Sequence, residues 1–403
     1  MSESFSEEPP RNKKEKKTSM SPSFSLSSLP DEVALSCMAL LPRSDHASLS
    51  RVSKRYRSLV ASPHLYDIRS QLGYSCFYVC LSLHGRYSTP RWFIISREKT
   101  VNRLMTPIPP CPSSHPTEGF AVVSLDCRIY VIGGSVFSSS SSGYTSSHVL
   151  LLDCRTHTWR QVTSMNVARR RATAGVVNGK IYVFGGCSGI KTYGEVFDPK
   201  TQTWTTLPPV PVSVRPDVSF RESMVMGDTV YAVPFQNSSS QLYYSPKEGI
   251  WGRTMKDVNV SKLRIQSYSL CVTENVLYSC DDEGNVFWRE PEDSKWKKVI
   301  GLRPLDYYLY ERFVSSTWDT PSCDEFFESY SKLRTFGTNI LMFWFKYNPK
   351  NTNVDIWCAE ISFERRRDIG EVVGKIEWLQ SVAGVTGHPT SHVEVLHSAY
   401  VNV

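Results

Sequence analysis

Apolar residues follow a helical period in the first patterned part of the chain and a strand-like period from about residue 74 onward. Within residues 27–72, two groups of apolar residues recur three or four positions apart, which is the spacing of one helix face. They are Val33, Cys37, Leu40 and Leu41, followed by Leu49, Val52, Tyr56 and Leu59. Pro42 and Pro63 end the two helices that this pattern predicts, and residues 65–72 allow a short third one.

The helical segment is short, and its capping residues are visible in the sequence. Ser28 precedes Leu29, Pro30 and Asp31, and Ser44 follows Pro42, so each serine is positioned to cap the next helix. About 45 residues rarely build a complete hydrophobic core without help from another surface. The apolar face of these helices therefore predicts a partner, either the rest of this chain or another protein.

The strand-like region repeats with a period near 45–50 residues. Two strands with the sequences IYVIGG and IYVFGG end at the glycine doublets Gly133–Gly134 and Gly185–Gly186, which lie 52 residues apart. Four tryptophans lie 45, 47 and 45 residues apart: Trp159, Trp204, Trp251 and Trp296. The serine-rich stretch 135–147 accounts for the longer doublet spacing as a loop insertion into a fixed unit. Several strands per unit at this period predict the blades of a β-propeller.

Counting the blades favours six. Trp378 marks a fifth outer strand, and two ends of the chain then remain unpaired. The N-terminal end has strand patterns at 76–82, 92–96 and 103–108, and the C-terminal end alternates over 392–401. Together they complete a sixth blade that closes the ring and removes its open edges. Seven blades remain an alternative, because about 330 residues also divide into seven such units.

Composition agrees with a globular chain of mainly β structure. The 403 residues are 40% hydrophobic and 21% charged, with 22 glycines and 24 prolines. The net charge of +7 lies partly in the run 11–17, and no basic stripe with interleaved aromatic residues predicts nucleic-acid binding. No signal peptide or membrane span is evident, and eleven cysteines without C-x-x-C spacing favour reduced thiols. We expect an intracellular protein of the nucleus, the cytoplasm or both.

The helical segment resembles an F-box. The matching residues are Leu29-Pro30-Asp31-Glu32-Val33, Leu40-Leu41-Pro42, Leu49, the stretch Val52–Val60 and Ser62-Pro63. Tyr56 stands where that family usually has tryptophan. The resemblance implies docking on the Skp-type adaptor of a cullin–RING (SCF) ubiquitin ligase. The residues it assigns to adaptor binding are Leu29, Pro30, Val33, Leu40, Leu41, Pro42, Leu49, Val52, Tyr56 and Leu59.

The repeats resemble kelch repeats, through both glycine doublets, Val196-Phe197-Asp198-Pro199 and Thr203-Trp204. The order of the parts is similar to plant F-box/kelch-repeat proteins. The implied organisation is a disordered tail at 1–26, an F-box at 27–72 and a kelch β-propeller at 73–403. Glycine doublets serve as close turns and tryptophans as wedges between blades: Gly133, Gly134, Gly185, Gly186, Trp159, Trp204, Trp251, Trp296 and Trp378.

A substrate-recognition subunit of the ligase is the function that this resemblance implies, with the propeller binding an unknown target protein. Arg169, Arg170 and Arg171 directly precede an inner strand, which predicts a site for an acidic or phosphorylated ligand at the channel mouth. Arg171 is the member expected to point inward.

Two other classes of function stay open. One is a kelch scaffold outside any ligase, and the other is a metal-dependent propeller oxidase using His388, His392 and His397. Strand alternation separates these histidines, and we expect them on exposed turns. No G-x-S-x-G, H-E-x-x-H or phosphate-loop motif occurs, so we predict no catalytic residue, metal or cofactor.

Overall fold

A computed structural model divides the chain into two compact units, one ending at Ile68 and the other beginning at Arg69. The predicted tail at 1–26 lies outside the described residues. These are 29–83, 89–96, 104–111, 115–138, 141–187, 193–214, 220–234, 241–254, 269–281, 284–293, 295–303, 305, 331–348, 353–386 and 394–402.

Four short helices come first among the described residues: α1 (Asp31–Ala39), α2 (Arg43–Val52), α3 (Lys54–Ala61) and α4 (Pro63–Gln71). The pattern from Leu49 to Leu59 predicts one continuous helix, and the structure corrects this prediction. Ser53 is extended, with φ −155° and ψ 162°, and separates α2 from α3. Its hydroxyl accepts a hydrogen bond from the Tyr56 N–H at 3.1 Å, which caps α3. Ser44 is the second residue of α2 rather than its cap.

Strands account for most of the described residues of the second unit. The first twelve are β1 (Ser75–Ser82), β2 (Arg91–Ser96), β3 (Thr106–Pro107), β4 (Ala121–Leu125), β5 (Arg128–Ile132), β6 (Ser135–Ser138), β7 (Ser141–Thr145), β8 (Val149–Asp153), β9 (Thr158–Val162), β10 (Thr173–Val177), β11 (Lys180–Phe184) and β12 (Gly194–Asp198). The next seven are β13 (Thr203–Thr206), β14 (Phe220–Met226), β15 (Thr229–Pro234), β16 (Leu242–Ser245), β17 (Ile250–Arg253), β18 (Cys271–Thr273) and β19 (Val276–Cys280). The last seven are β20 (Val286–Arg289), β21 (Lys297–Lys298), β22 (Lys332–Phe336), β23 (Asn339–Asn348), β24 (Asn353–Arg366), β25 (Glu371–Thr386) and β26 (Glu394–Asn402).

Six antiparallel four-stranded sheets form the propeller, which confirms six blades over seven. From the inner strand outward, blade 1 is β4-β5-β8-β9 and blade 2 is β10-β11-β12-β13. Blade 3 is β14-β15-β16-β17, blade 4 is β18-β19-β20-β21 and blade 5 is β22-β23-β24-β25.

Blade 6 joins the two ends of the propeller, as the unpaired strand patterns predict. Its order is β26-β1-β2-β3, so the last strand of the chain is the innermost one. The antiparallel register runs from Ser75 opposite Asn402 to Ser82 opposite Glu394, with an irregularity after Cys80. Ring closure in this way covers the edge that β1 would otherwise expose.

The hydrophobic core lies between the blades rather than inside one blade. One cluster joins Tyr130 of blade 1 to Ile181 and Phe197 of blade 2, and another joins Phe77 of blade 6 to Phe343 of blade 5. The last two rings are stacked with centroids 6.0 Å apart. Because both faces of each sheet are buried against neighbours, β1 is buried along its whole length.

The serine-rich insertion differs from the predicted loop. Its ends form the two-stranded sheet β6-β7, with Ser135 opposite Thr145. None of the ten cysteines in the described ranges forms a disulfide. Among the same residues, no helix is long and apolar enough to cross a membrane.

Candidate functional site

The first candidate site is an apolar surface on the short helices. Helix α1 is apolar on two sides: Ala34, Leu35 and Met38 are buried, whereas Val33 is 45% exposed. The exposed fractions rise to 63% at Leu40 and 68% at Val52. We call the exposed set the apolar helix surface: Pro30, Val33, Leu40, Leu41, Pro42 and Val52. Each of these exposed apolar side chains gains free energy when a partner removes it from water.

The structure therefore divides the predicted adaptor-binding residues into a buried group and an exposed group, which the sequence alone does not distinguish. Tyr56 and Leu59, predicted as adaptor-binding residues, are buried, while Leu29 and Leu49 are half-buried. Ser53 is extended between α2 and α3, so the helical spacing that links Leu49 and Val52 to Tyr56 and Leu59 does not continue through it. The buried pair stabilises the helices, and the exposed set is available to a partner.

Arg55 holds the start of this surface in place. Its Nε donates to Asp31 Oδ1 at 2.8 Å, and one of its terminal nitrogens donates to the Leu29 carbonyl. These bonds connect α3 to Asp31, the first residue of α1, and to Leu29 before it, the two residues that flank Pro30.

The second candidate site is the channel of the propeller. A cavity of about 990 Å³ is lined by the inner strands and the residues that precede them. Charged residues lie at or near the beginnings of these strands: Glu118, Arg171, Glu222, Lys332, Arg334 and Glu394. We call this part of the cavity the channel mouth. Farther along the strands, the lining has no further Asp, Glu, Lys or Arg and mixes valines with uncharged polar residues: Val122, Val176, Val225, Val272, Ser124, Thr335, Ser398 and Tyr400.

Ion pairs connect different blades across the channel mouth. Arg334 of blade 5 contacts Glu222 of blade 3 at 3.3 Å, and Lys332 contacts Glu394 of blade 6 at 3.4 Å. The first pair spans the sector of blade 4, where the inner strand β18 has only three residues. No sequence motif includes these four residues. They lie close together because their blades are neighbours or near neighbours in the closed ring.

The three arginines predicted to form a ligand site, Arg169, Arg170 and Arg171, lie in different environments in the structure. Arg171 lines the cavity, and Arg170 pairs with Glu118 beside it. Arg169 is fully buried, and its Nη2 lies 3.0 Å from Glu195 Oε1, both side chains being 0% exposed. The prediction of a three-residue ligand site is therefore corrected at Arg169, because no ligand reaches this guanidinium in the folded protein.

Arg169 instead organises the junction between blades 1 and 2. Its Nη1 donates to the Gly185 and Tyr193 carbonyls at 2.8 Å each. The Arg169 carbonyl accepts the Gly134 N–H at 2.7 Å, and a Cβ on Gly133 would lie 2.5 Å from the same oxygen. Gly133 has a φ of +62°, so both its conformation and this close approach favour glycine. Both doublets therefore contact the segment that leads to Arg171.

Three of the marker tryptophans make the same contact. The indole N–H of Trp159, Trp204 and Trp251 donates to a carbonyl that follows the outer strand of the preceding blade: Pro109, Thr163 and Pro208. Trp296 lies just before β21 and is buried. Trp378 lies within β25, where its indole N–H donates to Glu360 Oε2 at 2.5 Å. Trp378, the fifth tryptophan of the series, therefore forms its hydrogen bond within blade 5.

Of the three histidines considered as metal ligands, only His397 lies within the described residues. His397, expected on an exposed turn or strand, lines the cavity from β26, and its ring centroid is 4.7 Å from that of Phe120. Burial and the nearby charges of Arg334 and Lys332 lower its pKa to about 3. His388 and His392 lie outside the described residues. In the part of the chain that is described, no three His, Cys, Asp or Glu side chains are grouped to hold a metal ion.

His115 belongs to the junction of blades 6 and 1. Its Nε2 accepts the Trp92 indole N–H at 3.1 Å, and its Nδ1 lies 2.6 Å from the Pro116 carbonyl, which makes Nδ1 the protonated nitrogen. Burial lowers the pKa of His115 to about 4. A neutral imidazole is therefore part of the joint that closes the ring.

Comparisons with known proteins identify both parts of the chain. Residues 26–68 match the family described as F-box domain, and residues 87–383 match FKB95, Kelch-repeats domain. An F-box/kelch-repeat protein of Arabidopsis thaliana is 35% identical, covering 96% of this chain and 95% of its own. A second one from the same plant is 34% identical, covering 92% of each chain. The solved structure of YjhT aligns over 71% of this chain with 12% identity and a TM-score of 0.46.

Proposed function

Because the chain belongs to the F-box/kelch-repeat protein family, we propose that it is the substrate-recognition subunit of an SCF-type ubiquitin ligase. The F-box binds a Skp-type adaptor and, through it, a cullin–RING ligase. The propeller binds the target protein that the ligase modifies. The role is that of a receptor, with the chemistry of ubiquitin transfer supplied by other subunits.

The apolar helix surface is the observation that carries this proposal. Val33, Leu40 and Val52 remain exposed although α1 already buries Ala34, Leu35 and Met38. A monomeric protein gains nothing from exposing such a group, whereas an interface core is built from side chains of this kind. The F-box match covers the same residues.

The propeller supports the second half of the proposal. Its blades pack on one another through shared hydrophobic clusters, and its channel has a mouth where several blades contribute charged side chains. Binding sites are commonly built from such loops and strand ends on a rigid scaffold. We place the target site at the channel mouth, and we propose that the protein acts in the nucleus or the cytoplasm.

A binding assay with the purified Skp-type adaptor tests the adaptor role. We expect the wild type to bind and Val52→Asp to lose about tenfold or more in affinity, because a charge would replace an apolar contact. Val212→Asp is the matched control, since Val212 is a valine 80% exposed in the propeller. This variant is expected to bind normally. Retained circular dichroism of both variants shows that folding is intact.

The opposite results are equally informative. A wild-type protein that does not bind the adaptor contradicts the ligase role and favours a kelch scaffold that works outside any ligase. Equal loss of binding in the Val52 and Val212 variants contradicts the assignment of the interface to the apolar helix surface. A stoichiometric copper ion in the purified protein would instead favour the oxidase alternative.

A further inference from the structure

Blade 4 has the shortest strands of the propeller, and its neighbour blade 5 has the longest. The inner strand β18 has three residues, and the outer strand β21 has two. In blade 5, the two outer strands β24 and β25 have 14 and 16 residues. Short strands form few hydrogen bonds with one another, so blade 4 depends on contacts from outside its own sheet.

The two outer strands of blade 5 continue past the rest of that blade. β23 pairs with β24 from Asn353 to Ile361, and beyond this point β24 pairs with β25 alone. This second part begins with Ser362 opposite Lys375 and ends with Arg366 opposite Glu371. We call residues 362–375 the hairpin extension. A hairpin without a third strand is marginally stable in water, so contacts with another surface are needed to hold it.

The hairpin extension contacts blade 4 at the end of β18 that lies away from the channel mouth. Arg365 Nη2 donates to the Glu274 carbonyl at 2.9 Å, in the turn after β18, and Arg365 Nη1 lies 3.6 Å from Glu290 Oε1. The ring centroids of Phe363 and of Tyr278 in β19 are 4.4 Å apart. Burial raises the pKa of Tyr278 to about 12, and the charge of Arg365 and its hydrogen bond to Tyr278 oppose this rise. Arg365 therefore contacts three parts of blade 4.

Main-chain hydrogen bonds join the hairpin extension to the segment that follows β21. The Ile300 N–H donates to the Val372 carbonyl at 3.0 Å, and the Gly374 N–H donates to the Ile300 carbonyl at 2.7 Å. Ile300 thus forms a parallel bridge with Val373. A Cβ on Gly301 would lie 2.6 Å from the Gly374 carbonyl oxygen, and the φ of Gly301 is +91°, so this approach favours glycine. The chain therefore leaves blade 4 already paired with blade 5.

Blade 4 is also part of the channel wall. Leu270, Cys271 and Val272 line the cavity from β18 and from the residue before it. At the channel mouth, Arg334 of blade 5 contacts Glu222 of blade 3 and so spans the same sector. An outward movement of blade 4 opens the wall between its neighbours, while this ion pair still connects them.

We propose that the hairpin extension is a strap that holds blade 4 in the ring, with Arg365 as its latch. Release of the strap lets blade 4 and residues 362–375 open together and exposes the channel at this sector. Local opening of this kind starts where few contacts hold an element. The closure of β26 on β1 is not part of this opening, because it lies in blade 6.

Hydrogen exchange of the full-length protein, followed by mass spectrometry, tests the proposal. Peptides from β18–β20 and from the hairpin extension are expected to exchange through one common opening, with the same dependence on urea. Arg365→Met removes charged hydrogen bonds, so we expect exchange about tenfold faster in both segments and unchanged exchange in blade 2. Arg366→Met is the matched control, since Arg366 is exposed and pairs with Glu364 of the same hairpin. This variant is expected to exchange like the wild type.

Glycine variants test the other end of the strap. Gly301→Ala places a Cβ against the Gly374 carbonyl, and we expect it to accelerate exchange in the same two segments as Arg365→Met. Gly249→Ala is the control, because Gly249 also has a positive φ, +68°, but no other described residue lies within 4 Å of its Cβ position. It carries the backbone strain without the close approach and is expected to leave blade 4 unchanged.

Alkylation of buried thiols by iodoacetamide gives an independent measurement. Cys280 in β19 and Cys80 in β1 are both buried, and mass spectrometry locates the label. We expect Arg365→Met to accelerate labelling of Cys280 and to leave that of Cys80 unchanged. Blade 4 exchange in Arg365→Met equal to that of the wild type overturns the proposal. Equal acceleration in all six blades also overturns it, because Arg365 would then support the stability of the whole ring instead of one blade.

Discussion

The two units of this protein use apolar side chains in opposite ways. In the propeller, each blade buries both faces against its neighbours, and residues such as Leu151 and Phe343 are 0% exposed. In the F-box, α1 and α3 bury some of their apolar residues, whereas Leu40 and Val52 are mostly exposed. A closed ring covers its own surfaces, whereas a few short helices cannot. The same hydrophobic effect therefore stabilises the fold in one unit and association in the other.

Ion pairs differ between the two units as well: the F-box pair is exposed, whereas the propeller contains buried pairs. The F-box presents an ordinary exposed ion pair between Arg55 and Asp31. The propeller contains a fully buried pair, Arg169 with Glu195, and a half-buried network at the channel mouth. Buried charges are stabilised only by complete pairing, so the propeller tolerates their loss much less than the F-box tolerates changes to its surface.

The largest effect is expected from breaking the buried pair. Arg169→Met leaves the Glu195 carboxylate buried without its cation, which we expect to lower the free energy of unfolding by about 3–5 kcal/mol. Arg170→Met, in a pair whose arginine is 41% exposed, is expected to cost about 1 kcal/mol or less. Urea unfolding followed by tryptophan fluorescence measures both. Similar losses in the two variants would contradict the assigned difference in burial.

A pair of leucines tests the contrast in apolar packing. Leu151→Ala creates a cavity between blades 1 and 2 and is expected to cost about 2–5 kcal/mol. Leu40→Ala, at 63% exposure, is expected to change stability by about 0.5 kcal/mol or less while weakening adaptor binding. Urea unfolding and the adaptor assay are applied to both proteins. A stability loss in Leu40→Ala as large as that in Leu151→Ala would remove the distinction between the units.

The junction that closes the ring predicts a pH dependence. An unfolded histidine has a pKa near 6.5, so as the pH falls it binds a proton before native His115, whose pKa is about 4. Stability supplied by the neutral ring is thus present above pH 6.5 and is lost as the pH falls towards 4. By pH 5 the loss is on the order of 2 kcal/mol.

His115→Gln tests this junction by removing the titrating ring. Urea midpoints at pH 7, 6 and 5 are expected to fall less steeply in this variant than in the wild type. Part of the slope remains, because native His397 also has a lowered pKa. His64→Gln, at an exposed position in α4, is expected to keep the full slope. Parallel slopes in the wild type and His115→Gln would contradict the prediction.

Much of the propeller was predictable because its signals are local or repeated. Strand alternation, the glycine doublets and the tryptophan spacing placed the blades, and the two unpaired ends predicted the closure of β26 on β1. The break at Ser53 was missed because Leu49, Val52, Tyr56 and Leu59 keep a helical spacing across it. Serine is itself a preferred cap, and this signal would have located the break.

The channel mouth was only partly predictable. Arg171 was expected to point inward, yet neighbouring Arg169 is buried, and adjacency in sequence does not distinguish the two. Glu222 and Arg334 are 112 residues apart and no motif connects them. An alignment of the blade sequences would have shown that Glu222 is the third residue of the inner strand β14 and Arg334 the third residue of the inner strand β22.

The sequence alone determined the number and order of the parts, since period and alternation are properties of neighbouring residues. It also determined the family, through dense matches in the F-box and the repeats. Only the tertiary structure decided which apolar residues of α1 face water and which arginine lines the channel. Those outcomes depend on contacts between residues from different helices and blades, which form when the ring closes and the helices pack.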